Sequence, residues 1–123
     1  MRVLLSIKPE FATKIFDGSK QYEYSRIIFK NKNVNKVVVY ESSPTSLIIG
    51  EFEIDGIIDD ELPALWEQTK SHAGISQTKF SEYFADKSRG YAIKVKTPRR
   101  YERPVPLSSV TAAAPPQSFA YLV

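Results

Sequence analysis

An α+β fold, a small mixed and mostly antiparallel β-barrel carrying about three short helices, is what this sequence predicts. Three observations point to it. Strand-like runs rich in Val, Ile, Tyr and Phe recur along the chain, separated by turn residues. A proline-started helical segment follows the first run at once, and two more helical segments occupy the middle. The chain has 123 residues and no cysteine, enough for one domain, 1–123, that buries roughly two thirds of its unfolded surface without disulfides.

The elements follow in order. Arg2 to Ile7 reads as a strand buried at Val3, Leu4 and Leu5. Pro9 suits the first helical position, Phe11, Ala12, Ile15 and Phe16 make one apolar face, and Gly18 is the stop. Lys8 falls at the N-cap, where it has no acceptor for the first-turn amides. Gln21 to Phe29 is predicted as the second strand, with Lys20 in the turn before it, and Val34 to Glu41 as the third, buried on both faces at Val37 to Tyr40. After Ser42, Ser43 and Pro44, Leu47 to Ile58 alternates, with Glu51, Glu53 and Asp55 on a water-facing side and Phe52 and Ile54 turned inward. A helix near Leu62 to Lys70 offers Leu62, Leu65 and Trp66 to the core. A second begins at the Ser76 N-cap, with an Ile75–Phe80 staple and Phe80, Tyr83 and Phe84 inward. Tyr91 to Lys96 is a strand, Thr97 to Pro104 a basic turn leading into an edge strand, 110 to 116 a connector, and Phe119 to Leu122 the last strand.

Composition sets outer bounds on function. The absence of cysteine removes thiol nucleophiles and thiolate zinc sites, and the lone His72 supplies no metal set, so no metal or cofactor is expected. The apolar run after Arg2 is too short for a signal core or a membrane span, and the expected setting is the cytoplasm. The net charge of +3 is unevenly spread: eight Lys/Arg against three Asp/Glu in 1–36, four against ten in 37–93, and five against one in 94–123. If the two basic ends meet, they make a face suited to a polyanion; if they do not, they are a solvated surface.

The block Ser6-Ile7-Lys8-Pro9 through Gly18-Ser19-Lys20-Gln21-Tyr22-Glu23 resembles the ASCH domains of the PUA-like β-barrel superfamily, whose pattern is Lys-Pro, a short helix, then Gly-x-Lys-x-x-Glu. The ending Pro115-Pro116-Gln117-Ser118-Phe119 is similar to small prokaryotic single-domain members. The resemblance implies a cleft beside the first helix lined by Lys8, Lys20, Glu23 and Arg26, and a role in binding RNA or a modified nucleoside. It also implies relatives that are amidohydrolases on acylated cytidine or ribonucleases. Glu23 stands where the amidohydrolase-like members carry a threonine nucleophile, and Ser25 where a basic or polar residue precedes Arg26.

In such a cleft Lys8 and Arg26, with the free helix amides, hold a phosphate or carbonyl oxygen. Lys20 and Glu23 are the candidate catalytic pair, with Glu23 accepting from an exocyclic amine or acting as general base. Tyr22, Tyr24 or Tyr40 stacks on the base, and Tyr40 and Ser43 complete the candidate binding set. An unbroken strand sends Lys20 and Glu23 to opposite faces, so they share a pocket only if Lys20 precedes the strand or a bulge intervenes. The competing structural reading is a buried Lys20–Glu23 or Arg26–Glu23 pair that fixes the helix to the barrel. Three functions stay open: an RNA- or nucleoside-binding module, a hydrolase, and a regulatory ligand- or protein-binding module.

Overall fold

The computed structural model describes residues 1–122. β1 (Arg2–Ile7) is mostly buried and paired on both sides: β3 (Lys36–Glu41) runs parallel to it and β6 (Phe119–Leu122) antiparallel. β4 (Leu47–Glu61) pairs antiparallel with β3, β5 (Arg89–Val105) with β4, and β2 (Tyr22–Ser25) with β5. The result is a six-stranded, mostly antiparallel sheet in the order β2-β5-β4-β3-β1-β6. Three helices accompany it: α1 (Pro9–Asp17), α2 (Leu62–Thr69) and α3 (Gln77–Tyr83), with a 3-10 turn at Lys70–His72.

Val3, Leu5, Val37, Val39, Ile49, Phe52 and Ile93 meet in one apolar cluster, with Phe119 packed against it, so the sheet curls around its own inner face. Ala12 and Ile15 of α1, both fully buried, cover this cluster. The outer face carries a second cluster, Leu4, Val38, Tyr40, Ile48 and Leu122, roofed by Tyr101, Val105, Leu107 and Val110. A third, with Tyr24, Leu65, Phe80, Phe84 and Ala92, holds α2 and α3. Gly90 lets Phe84 lie flat on β5: a Cβ there would sit 2.7 Å from Phe84 Cζ.

The helix signals are borne out at the ends that matter. Pro9 opens α1 and Gly18 closes it with φ +88°. Ser76 caps α3 by accepting from the Lys79 amide at 3.1 Å, and Ile75 packs in the same cluster as Phe80.

Three strand boundaries differ from expectation. β2 stops at Ser25, well short of Phe29: the Ser25 hydroxyl donates to the Ile27 carbonyl, and Phe29 leaves the sheet to meet Phe119 edge-on at 5.8 Å. β4 runs past Ile58 to Glu61 and feeds directly into α2, with Gly56 at φ +116° near a register break. The segment Thr97 to Pro104 is no turn. β5 continues through it as one 17-residue strand bent at Thr97, φ +46°, and Pro98 and Pro104 are tolerated because this half pairs with β4 alone.

The acidic stripe of β4 is matched by its neighbours. Glu51 pairs with Lys36 at 2.8 Å and Arg99 at 3.1 Å and accepts from the Tyr101 hydroxyl at 2.7 Å, while Glu53 accepts from Thr97 at 2.7 Å. Lys36 and Arg99, one from each basic stretch, therefore share the Glu51 carboxylate.

Candidate functional site

A cavity of about 490 Å³ opens between the C-terminal end of β1, the first turn of α1, β2, α3 and the segment before β6. That volume lies within the usual range for small-molecule sites. Each wall has a local cause. Pro9 supplies no N–H and Lys8 makes no side-chain cap, so the first turn of α1 faces the cavity mouth without a side-chain cap. The staple between Ile75 and Phe80 and the cap at Ser76 set α3 opposite, and Ile75, Phe80 and Tyr83 become the apolar wall.

Gly18 brings Lys20 in. Its left-handed turn reverses the chain, the Lys20 amide returns to the Lys14 carbonyl at 3.0 Å, and Gln21 is held by His72 and Val95 backbone bonds of 2.8 and 2.9 Å. Lys20 thus sits before β2 rather than in it, and the residue, 2% exposed, lines the cavity. Nζ donates to the Ala73 carbonyl at 2.8 Å and lies 4.7 Å from the Tyr24 ring centre and 5.4 Å from that of Phe11.

Glu23, opposite Ile93 across β2 and β5, reaches the same cavity from the strand. The residue keeps some exposure, yet its Oε2 is closed off from solvent and has no hydrogen-bond partner. Among the described residues no N–O contact within 4.0 Å joins Glu23 to Lys20 or Arg26, so the fixing pair does not form. Burial pushes the Glu23 carboxyl above its usual range, with Lys20 pulling partly back. Burial likewise pushes the Lys20 amine down, opposed by Glu23 and helped by Lys14.

The remaining candidates are spread out. Lys8 is exposed at the mouth. Arg26 does not line the cavity; its guanidinium lies 4.7 Å over the ring of Tyr83, which does. Tyr40 and Ser43 also lie outside it. Tyr40 is packed in the outer cluster with Leu4 and Leu122, because its parity along β3 turns it away from the inner face, and Ser43 lies in the turn after β3. His72 is exposed and uses only its carbonyl here.

Several lining residues escaped the sequence reading. Phe80 and Tyr83 read as core, because helical periodicity marks an apolar face without saying whether it meets packing or a cavity. Glu10 and Lys79 pair across the mouth at 3.2 Å, which sequence distance hides. Gln117 and Ser118 line the far side, held where the Ser6 hydroxyl donates to the Pro116 carbonyl at 2.9 Å; the motif around them was the available signal.

Among the described residues no helix is long and apolar enough to cross a membrane. The chain is similar to the large ribosomal subunit protein uL22 of Ureaplasma parvum serovar 3, 28% identical over 98% of this chain, and spans 39% of that relative's length. It is 26% identical, over 97% of its length and 82% of the relative's, to an ASCH domain-containing ribonuclease of Zymomonas mobilis. The crystal structure of ASCH from Zymomonas mobilis superposes with a TM-score of 0.91 at 25% identity, covering 99% of this chain and 87% of that one. These neighbours bear out the ASCH resemblance and its α+β sheet. The family model described as Domain of unknown function (DUF365) matches residues 1–115, from β1 through the cavity walls to the connector before β6, and the chain belongs to that family, on the ASCH fold.

Proposed function

We propose that this chain is an RNA- or modified-nucleoside-binding domain that holds one base in the cavity beside α1, acting as a single 1–123 unit in the cytoplasm. The observation that carries the reading is Glu23: a carboxylate oxygen closed off from water and unpartnered, on a residue that lines one cavity with Lys20 and Lys8. An unsatisfied buried acceptor is costly to keep, and a ligand that donates to it recovers the cost. Phe11, Phe80 and Tyr83 supply flat apolar walls for a base, and Lys8, with Arg26 behind Tyr83, supplies charge for phosphate.

Fluorescence anisotropy with a short single-stranded RNA at increasing salt tests this. Affinity falls steeply as salt rises, because phosphate contacts release counterions, and drops in Lys20→Ala. Binding that is absent, or indifferent to salt, removes the proposal.

A second reading, hydrolysis of RNA or of an acylated cytidine, is favoured by the raised carboxyl of Glu23 near the buried Lys20 amine, a pairing suited to general acid–base work. The similarity to an ASCH domain-containing ribonuclease adds support. Incubation with mixed RNA and with N4-acetylcytidine gives product that vanishes in Glu23→Gln if this holds; no turnover of either substrate rejects it.

A further inference from the structure

We infer that the cavity selects guanine, with the Glu23 carboxylate taking the N1–H and N2–H donors and Lys20 donating to O6, a deepening that rests on the nucleoside-binding reading above. The two groups line one cavity and neither has an ion-pair partner within 4.0 Å among the described residues. Oε2 of Glu23 accepts from no described residue and the residue lines the cavity, so its carboxylate has unused acceptor capacity that suits two parallel donors once a base packs against it. Lys20 spends one N–H on the Ala73 carbonyl and keeps the others for an acceptor.

Guanine is the base that answers both demands on one edge. It sets two adjacent N–H donors on neighbouring atoms beside a carbonyl oxygen. Adenine has no carbonyl; cytosine and uracil each lack a second donor atom next to the first. A guanidinium from an arginine side chain also offers two parallel donors, but it carries no acceptor for Lys20 and would set a second cation beside that buried amine. The neutral base avoids that repulsion. Phe11, Phe80 and Tyr83 present rings to a purine, and a volume of about 490 Å³ admits a purine nucleoside.

The test is calorimetric titration of the whole chain with guanosine, inosine, adenosine and N1-methylguanosine 5′-monophosphates. Guanosine monophosphate binds tighter than the adenosine form by about 5- to 150-fold, the worth of one good two-bond contact to a base edge. Inosine, lacking the 2-amino group, falls between, and N1-methylation abolishes binding. Glu23→Gln, which offers one acceptor in place of two, flattens the series, while its unfolding curve confirms that the variant is folded. Equal affinity for all four nucleotides, or retention of the N1-methylated form, overturns the inference. So does capture of an arginine-containing peptide in preference to any nucleotide. Tight, salt-sensitive RNA binding with no guanine preference sinks this assignment while leaving the RNA reading intact; absence of binding to RNA and to every nucleotide sinks both.

Discussion

Gly74 is packed directly against Lys20: a Cβ built on Gly74 would collide with Lys20 Cβ and come to 2.6 Å from its Cγ. The glycine also adopts φ +66°, so two independent reasons exclude a side chain. Gly74→Ala is expected to cost about 2–4 kcal/mol, the left-handed strain and the overpacking together. Gly18→Ala is the control, since Gly18 has φ +88° but nothing within 4 Å of a built Cβ, and it costs only about 1–2 kcal/mol. Urea denaturation of both variants checks the difference. Equal losses would mean that the Lys20 stem yields freely and is not held by this loop.

Glu23→Gln should stabilise the fold while damaging the site. The folded carboxyl has its pKa raised above the usual 4.5, so its contribution to stability is fully present below that value and is lost as pH rises through the folded one. Glutamine has no such titration. The variant is therefore close to wild type in acid and more stable toward neutral pH, by about 1–3 kcal/mol, the usual penalty for an unsatisfied buried group. Thermal unfolding of the two proteins across the acid-to-neutral range reads this directly. Other carboxylates cancel in the comparison, including Glu51, whose pKa is lowered. A constant difference at all pH values would show that Glu23 titrates alike in the folded and unfolded chain.

Much of the arrangement around Lys20 was legible in the sequence, because it rests on local chemistry: Pro9 and Gly18 bound α1, and the strand's two-residue period requires Lys20 to precede β2 if it is to meet Glu23. The partner surfaces were not. Val37 to Tyr40 is apolar on both faces, and nothing in such a run says which face looks toward a cavity, so the sequence names Tyr40 as a stacking candidate while the fold packs it with Leu4 and Leu122. The prolines at 98 and 104 argue for a turn by local rule, and only the missing neighbour on one side of β5 lets the strand carry them. Glu10 and Lys79 meet across 69 positions of sequence, a distance that no pattern bridges.

The Glu10–Lys79 pair spans the mouth with both side chains about half exposed, at 51% and 52%, and so is a kinetic rather than an energetic feature. Lys79→Ala is expected to change folding stability by no more than about 0.5–1 kcal/mol, as for other exposed pairs. Its effect falls on encounter: losing a cation at the rim slows association of a nucleotide at low salt. Stopped-flow measurements should show the two rates merging near 1 M salt, where the screening length is about 3 Å. A difference that persists at high salt would mean that Lys79 contacts the bound ligand itself.

Tyr24 separates ring from hydroxyl. Its hydroxyl donates to Thr69 Oγ1 at 2.7 Å, and Thr69 in turn donates to the Leu65 carbonyl at 2.8 Å, so the polar end is spent inside α2 and its pKa is pushed up to about 12 by burial. The ring edge meets Phe80 at 5.1 Å and its face lies 4.7 Å from Lys20 Nζ. Tyr24→Phe therefore leaves the cavity wall in place and strips Thr69 of a buried donor, a loss of about 1–2 kcal/mol in stability with nucleotide affinity unchanged. Tyr24→Leu keeps an apolar side chain but removes the ring, so Lys20 keeps Phe11 but loses the nearer of its two aromatic neighbours, and affinity drops. Paired denaturation and calorimetry on the two variants give the answer: if Tyr24→Phe weakens binding as much as Tyr24→Leu, the hydroxyl reaches the ligand, and the α2 hydrogen bond is exchanged when the cavity fills.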